Sequence, residues 1–283
     1  MAAAAVVVLY NPDNIVIDNI NTYINDVEIV FVVDNSDQKK ISIIKNLLKN
    51  SKIYYIDNHG NQGIANALNI GSKNAINMGY KWLLTMDQDS KITQDMLLKM
   101  THYIQTHTAS EISIISPFHA NKFQQNSSTK ELYSTILTTM TSGNLLNLDV
   151  FQQIGGFTEN LFIDYVDNEY CLRSNLLKFK VIRINHAILE HNLGNLKQHQ
   201  IFWKKFFSTN HSPIRRYYSF RNRLKIIELY QNNFPTYCQF EKSRFFVDII
   251  IVLLYEKERC SKFKMMLRGY LDYKRGIFGK YHD

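Results

Sequence analysis

Two aspartates, Asp87 and Asp89, stand one residue apart where the apolar run Trp82-Leu83-Leu84-Thr85-Met86 stops. In an extended strand alternate side chains share a face, so both carboxylates would aim at one point beyond the strand end. That point suits a divalent cation, because Mg²⁺ is typically held by one or two carboxylates together with substrate phosphates, with a nucleoside diphosphate as its natural companion. An exposed turn would use the same residue types. A second acidic set, Asp164, Asp167 and Glu169, lies within six residues among Phe162, Tyr165 and Tyr170. Carboxylates in such company are expensive to bury unless paired or used. Asp167 opens a helical pattern in which Glu169 stands four residues before Arg173, a pairing that can orient an acid or base and equally suits an ordinary helix N-terminus. His191 follows the apolar Ile188-Leu189, where a structural histidine is the commoner outcome. Arg215, Arg216 and Arg221, interleaved with Tyr217 and Tyr218, suit either phosphate recognition through planar forks or a basic helix surface.

These residues need elements to position them, and the first half of the chain supplies an alternation of short apolar runs and helical spacings. Strands are predicted over Ala5–Leu9, Val27–Val33, Lys52–Ile56, Trp82–Met86 and Ile112–Ser116, and helices over Ile15–Ile24, Ile41–Leu48, Gly63–Met78 and Asp95–Thr106. Alternation of this kind argues for an α/β fold with a mostly parallel sheet covered on both faces. In such sheets ligands bind beyond the carboxyl ends of the strands. Tyr10-Asn11, Asp34-Asn35 and Asp87–Asp89 all fall there. The turn Asn58–Gly63 leads into a helix carrying Ala65, Ala67, Asn69 and Gly71, small enough for close approach to backbone or ligand. No G-x-G-x-x-G or G-x-x-x-x-G-K-[ST] occurs, so dinucleotide and P-loop readings lose their main support. The polar stretch Asn121–Lys130 reads as a loop, and Thr141–Asn144 as a turn before a helix ending at Ile154-Gly155-Gly156.

A chain of 283 residues, 45% apolar, can bury a sizeable core. Its net charge of +8 is uneven: 15 Lys and Arg stand against 18 Asp and Glu up to Leu196, net −3, then 18 against 7 from Lys197, net +11. The basic end is suited to phosphate-bearing substrates, an anionic membrane face or nucleic acid. Three widely spaced cysteines without a C-x-x-C pair argue against a disulfide framework or structural zinc and make a reducing cytoplasm the default. Met1–Ala5 lacks the basic region of a signal peptide. The apolar run Phe245–Tyr255 contains Asp248 and falls well short of the roughly 20 residues that span a bilayer. Basic and apolar residues then alternate from Lys257 to Tyr270, a pattern for a membrane-interface helix or for an amphipathic helix with a solvated basic face.

Taken together, the stretches Val6–Pro12, Val33–Ser36, Asn61–Ala65 with Asn69 and Gly71, Met86–Ser90, Ser142-Gly143, Gly155–Phe157, Phe162–Arg173, His191, Tyr218-x-x-Arg221-Asn222 and Arg268–Gly279 resemble the family-2 glycosyltransferases of the GT-A fold, within them the bacterial rhamnosyltransferase-like group. The resemblance implies a catalytic GT-A domain over residues 1–200 and a helical basic extension over 201–283 that completes the site. It implies that Tyr10, Asn11 and Asp34 line a nucleotide pocket, that Asn61, Gly63 and Asn69 shape it near ribose and diphosphate, and that Asp87 faces the ribose or a metal-bound water. Asp89 and His191 would ligate Mg²⁺ or Mn²⁺, Asp167 would be the base, and Arg221 would add charge toward the leaving diphosphate. Many members carry Glu-Asp at the base, whereas Val166 precedes Asp167 here and Asp164 supplies an upstream carboxylate, so both aspartates stay candidates.

The implied activity is inverting transfer of a sugar, L-rhamnose from dTDP-rhamnose, to a saccharide acceptor in capsule or O-antigen synthesis. The acceptor would be lipid-linked, at the inner face of the plasma membrane, with peripheral membrane contact, a homodimer allowed and no nucleic acid. A UDP-hexose or UDP-galactofuranose donor is the nearest alternative. A sugar nucleotidyltransferase would need a glycine-rich basic loop after the first strand, which Tyr10-Asn11-Pro12 does not offer. A non-enzymatic basic module would leave Asp87, Asp89 and Asp167 unused.

Overall fold

The structure is a computed structural model that describes residues 2–120, 130–191, 197–201, 204–208 and 210–282, together with their side chains except at 191–209. The polar stretch 121–130 therefore lies outside the described residues apart from Lys130, as does the side chain of His191. The chain forms two compact units, one of residues 1–159 and 167–192, the other of 160–166 and 193–283.

The first unit is built on one sheet. Strands β1 (Ala4–Leu9), β2 (Ile29–Asp34), β3 (Ile53–Asp57) and β4 (Trp82–Asp87) arise where β-branched and large apolar residues run uninterrupted, and every residue of β1 is buried. They lie parallel in the order β3-β2-β1-β4, as the alternation with helices α1 (Ile15–Asn21), α2 (Ile41–Leu47) and α3 (Ile64–Asn77) requires. Helix α3 packs so closely on β1 that a methyl group at Gly71 would stand 2.3 Å from Val6 Cγ2.

Beyond β4 the pairing changes hand. Strands β5 (Ser90–Ile92), β6 (Ile112–Ala120), β7 (Tyr133–Ile136), β8 (Asn144–Asn147) and β9 (Lys180–His191) complete the sheet, with helices α4 (Met96–Thr106), α5 (Leu148–Ile154) and α6 (Val166–Leu176). β8 inserts antiparallel between β4 and β6, β6 runs parallel to β9, and β5 and β7 both add antiparallel to β9. The turn read at 141–144 thus runs into a strand. β8 is only four residues long and bounded by Asn144 and Asn147, which hold their place through side-chain bonds to the carbonyls of Met140 and of Ala109 and Ile112. β9 also escapes sequence periodicity, because Arg183, Asn185 and His186 interrupt it. Asn185 is nonetheless fully buried, donating to Glu131 O and Ser134 Oγ.

The second unit contains a hairpin, β10 (Lys197–Ile201) with β11 (Lys204–Ser208), and three helices, α7 (Pro213–Tyr230), α8 (Pro235–Tyr255) and α9 (Arg259–Lys274). Ser212 caps α7 by accepting Arg215 N, with Pro213 in the first turn where a missing N–H costs nothing. Residues 160–166 join this unit rather than the sheet. The acidic side chains of α8, α9 and the link between them are largely turned inward: Glu241 and Asp248 meet Arg223, Glu256 meets Arg216 and Lys262, and Asp272 accepts from Tyr217. No helix among the described residues is long and apolar enough to cross a membrane.

His211, just before α7, is held down to about 4 from an ordinary 6.5, first by burial and then by the charge of Arg215. The unfolded chain accepts a proton near pH 6.5 that the folded chain refuses until about pH 4, so this group's contribution is complete above pH 6.5 and is lost as pH falls toward 4. Between pH 6.5 and 4.5 the wild type should lose more stability in urea unfolding than His211→Gln does. Parallel profiles for the two proteins would contradict this.

Candidate functional site

The acidic edge of the first unit begins where β4 ends. The strand stops at Asp87 and residues 88–89 turn into β5, so the two aspartates do not share a face by simple alternation, as the spacing alone suggested. Gln88 causes the turn. Its side-chain Oε1 accepts Tyr10 N at 2.9 Å and its Nε2 donates to Tyr10 O at 3.1 Å, while its own carbonyl accepts Asn19 Nδ2 at 2.7 Å. Asp87 is left half-buried with its amide on Ser142 Oγ, and Asp89 is exposed on the turn. β5 then runs antiparallel to β9 with Ser90 directly opposite His191. Asp89 and His191, 102 positions apart in the chain, therefore stand one residue out of register with each other.

Asp167 reaches the same edge from α6. It is half-buried in the first turn, and its Oδ1 accepts Asn168 N at 2.8 Å. With Thr85, Thr141, Asn144 and Cys171 it lines a cavity of about 10 Å³, room for no more than one water. Thr85 lies two residues before Asp87 on β4, and Thr141 precedes the serine that holds Asp87's amide, so the cavity ties Asp167 to the end of β4. The 141–143 turn is tight: Thr85 Oγ1 donates to Thr141 O at 2.6 Å, and a side chain on Gly143, at φ +81°, would meet Pro117 and Leu189 within 3 Å. Burial pushes the neighbouring Cys171 thiol up to about 12, so it is a packing residue and no nucleophile. Glu169 is also structural. It pairs with Arg173 at 2.9 Å, and that guanidinium takes the carbonyls of Ile154, Gly155 and Gly156 at the end of α5.

The ends of β1 and β2 carry the remaining candidates. Tyr10 is about half exposed, and Asn11, at φ +47°, donates its amide to Ser36 Oγ. Asp34 is fully buried, its Oδ1 accepting Ser36 N and its Oδ2 accepting Tyr55 OH, whose phenol is raised first by burial and then by this carboxylate. The hub here is Asn35, which the sequence reading did not single out as a site residue. Its Nδ2 donates to Asn61 Oδ1 and Gly63 O, and its Oδ1 accepts Asn58 Nδ2 and Gln62 N. Gly63 enters α3 at φ +89°, a conformation that side chains disfavour. Asn69 does a different job from the one expected: it is buried one and a half turns into α3, where it donates to Phe157 O and Glu159 Oε1 and accepts Phe157 N. That bond draws the Glu159 carboxyl below its usual range.

Among the described residues no three His, Cys, Asp or Glu side chains converge as a ready-made metal cage. Mg²⁺ or Mn²⁺ does not require one, since one or two carboxylates suffice when substrate phosphates complete the shell. The exposed Asp89 and the half-buried Asp87 are hard oxygen donors, and the backbone of His191 stands opposite Ser90 in the ladder. The donor set fits such an ion.

Within the second unit, α7 clamps residues 160–165. Phe162, Asp164 and Tyr165 all have φ between +62° and +65°, a left-handed conformation that costs on the order of 1–2 kcal/mol per residue. Asn222 Nδ2 lies 2.8–3.0 Å from the carbonyls of Leu161, Ile163 and Asp164. Arg221 is fully buried and commits its guanidinium to Asn222 Oδ1, Tyr217 OH and the carbonyls of Gly279, Asn160 and Leu161. A guanidinium with all five N–H groups engaged in this way holds backbone in place instead of facing a diphosphate. Asp164 Oδ1 accepts Arg215 Nε and Nη2 in an ion pair within its own unit, while its Oδ2 is buried with no hydrogen-bond partner among the described residues.

Residues 5–165 match the profile of glycosyl transferase family 2. The chain is 28% identical to the dTDP-rhamnosyl transferase RfbF of Shigella flexneri over 97% of its own length and 96% of the relative's. Among solved structures it resembles S. aureus TarS 1–349, with a TM-score of 0.61 and 14% identity over 96% of this chain and 81% of that one. It also resembles GalNAc-T7 crystallised with UDP, GalNAc and Mn²⁺, with a TM-score of 0.63 and 12% identity over 98% of this chain and 56% of that one. At such identities the structural likenesses speak for the fold, and the GT-A architecture expected from the sequence is the one these glycosyltransferases share.

Asn222→Ala should release the clamp. The carbonyls of Ile163 and Asp164 lose this donor and that of Leu161 keeps its bond from Arg221, and the expected cost is about 1–3 kcal/mol in denaturant unfolding, with faster hydrogen exchange at the amides of residues 161–166. Unchanged exchange there would mean that the left-handed segment holds itself.

Proposed function

As this chain belongs to glycosyl transferase family 2 and so is a glycosyltransferase, we propose that it moves L-rhamnose, with inversion, from dTDP-rhamnose to a hydroxyl of a saccharide acceptor. The donor assignment is supported by the likeness to a dTDP-rhamnosyl transferase over nearly the whole of both chains. What carries the catalytic reading is the assembly at one sheet edge of the Asp87–Asp89 turn, the His191 register position and Asp167.

Asp167 acts as base. Its carboxylate takes the proton of the acceptor hydroxyl while that oxygen attacks the anomeric carbon, and the bond from this carbon to the diphosphate oxygen breaks, releasing the nucleoside diphosphate. Asp164 belongs to the second unit with its ion pair to Arg215, and what supports Asp167 for this role is its place beside Thr85 and Thr141 near the end of β4. Tyr10, Asn11 and Asp34 border the nucleotide pocket; from beneath, Asp34 holds Ser36 N and Tyr55 OH, and Asn35 fixes the loop of Asn61 and Gly63. Asp89 and His191 would hold Mg²⁺ or Mn²⁺, with Asp87 toward the ribose or a metal-bound water; the ion when bound neutralises charge on the leaving diphosphate. The acceptor is a lipid-linked saccharide of a cell-surface polysaccharide at the inner face of the plasma membrane. A UDP-hexose donor is the second reading, in keeping with S. aureus TarS, whose related structure holds UDP-GlcNAc.

Asp167→Asn should keep the affinity for the nucleotide sugar while cutting transfer by roughly 10²- to 10⁴-fold, the usual worth of a positioned base; unchanged turnover would remove Asp167 from the mechanism. In calorimetric titrations with dTDP-rhamnose, UDP-glucose, UDP-galactose and UDP-galactofuranose, only the first should bind tightly. That binding should weaken on chelation and in Asp89→Ala, and equal titrations with and without chelator would argue against the metal site.

A further inference from the structure

The outer surface of α8 and α9 combines two features that the transfer reaction does not use. On α8, Phe246, Ile250, Leu253 and Leu254 are 43–65% exposed at helical spacing, and on α9 Phe263 and Leu267 continue the pattern at 47% and 51%. The two stripes meet: Leu253 lines one open hollow of about 360 Å³ together with Phe263, Leu267, Arg259 and Lys264. Contiguous apolar surface of this kind on a soluble unit marks a contact site.

The charge around it has been sorted by the fold. Glu241, Glu256 and Asp272 are buried against internal partners, and Glu258 is the one exposed carboxylate among residues 235–282. Lys242, Arg244, Lys257, Arg259, Lys264 and Arg268 are all exposed. The surface is therefore more cationic than the sequence of these helices implies. An isologous contact would set this field against its own copy, which disfavours a second chain as the occupant. An anionic lipid surface meets both demands, with apolar side chains entering the acyl boundary and the cations meeting phosphates. Neither helix is long and apolar enough to span it.

We propose that the α8–α9 face is a peripheral membrane-docking surface that seats the enzyme on anionic phospholipid. It does not depend on the donor or on Asp167, and is read without any sugar nucleotide.

The test is flotation of the full chain with phosphatidylcholine vesicles, with and without about 30% phosphatidylglycerol. Wild type should float with the anionic vesicles only and be released in part by about 0.5 M salt. Lys257→Glu with Lys264→Glu should lower apparent vesicle affinity at least about tenfold. Phe263→Ser with Leu267→Ser should abolish the salt-resistant part, while circular dichroism and thermal midpoint stay near wild type because all four residues are exposed. Equal binding to neutral and anionic vesicles, no binding by wild type, or full binding by both double variants would overturn the proposal. So would a wild-type dimer in sedimentation velocity that Phe263→Ser with Leu267→Ser converts to monomer, since the face would then belong to a second copy.

Discussion

The primary amide of Gln88 imitates a strand partner, offering an acceptor and a donor to the N–H and C=O of Tyr10 at the end of β1. This pair ends β4. With residue 88 tied sideways to the neighbouring strand, the chain cannot continue the pleat, and it folds over at Asp89 into β5. The short β5 then finds its ladder on β9, which comes back from α6. Two candidates of the first unit depend on that sequence of events, Asp89 on the turn and His191 in the register of β5, and Asp167 stands at the start of the helix that β9 follows.

Burial of polar side chains recurs as the means by which the edge is held. Asp34 and Asn35 are buried at the carboxyl end of β2 and bond Ser36, Tyr55 and the 58–63 turn, and Asn69 stitches α3 to the loop after α5. A buried polar group that is fully hydrogen-bonded fixes geometry more sharply than apolar packing does, because its partners must sit at defined distances and angles. Arg221 and Asn222 do the same for the left-handed segment 160–165, whose strain persists only because several donors converge on its carbonyls. The second unit also turns its acids inward, so the same ion pairs that order its interior leave its outside cationic.

Much of this was readable from residue order. The β-branched runs of β1 to β4 and the helices between them follow from periodicity, and parallel pairing follows from that alternation; the polar residues at their carboxyl ends marked the edge proposed for the ligand. Resemblance to a family added the roles of Asp87, Asp89, Asp167 and His191. Strands β8 and β9 were not legible, because buried asparagines break their apolar pattern and their ladders lie far away in sequence. The hub at Asn35 and the backbone-holding roles of Asn69 and Arg221 were hidden for the same reason: an amide or guanidinium looks alike in sequence whether it meets a ligand or a carbonyl of its own chain.

Local order thus determined the class of fold, the first half of the sheet and which residues are candidates for chemistry, since strand and helix periodicities and turn preferences act over a few residues. Tertiary structure alone decided which of those residues meet. The pairing of Ser90 with His191, the tie between Asp167 and the end of β4, and the capture of Arg221 by the carbonyls of Gly279, Asn160 and Leu161 are contacts across tens of residues or more, set by ladder register and by the rule that buried polar groups must find partners.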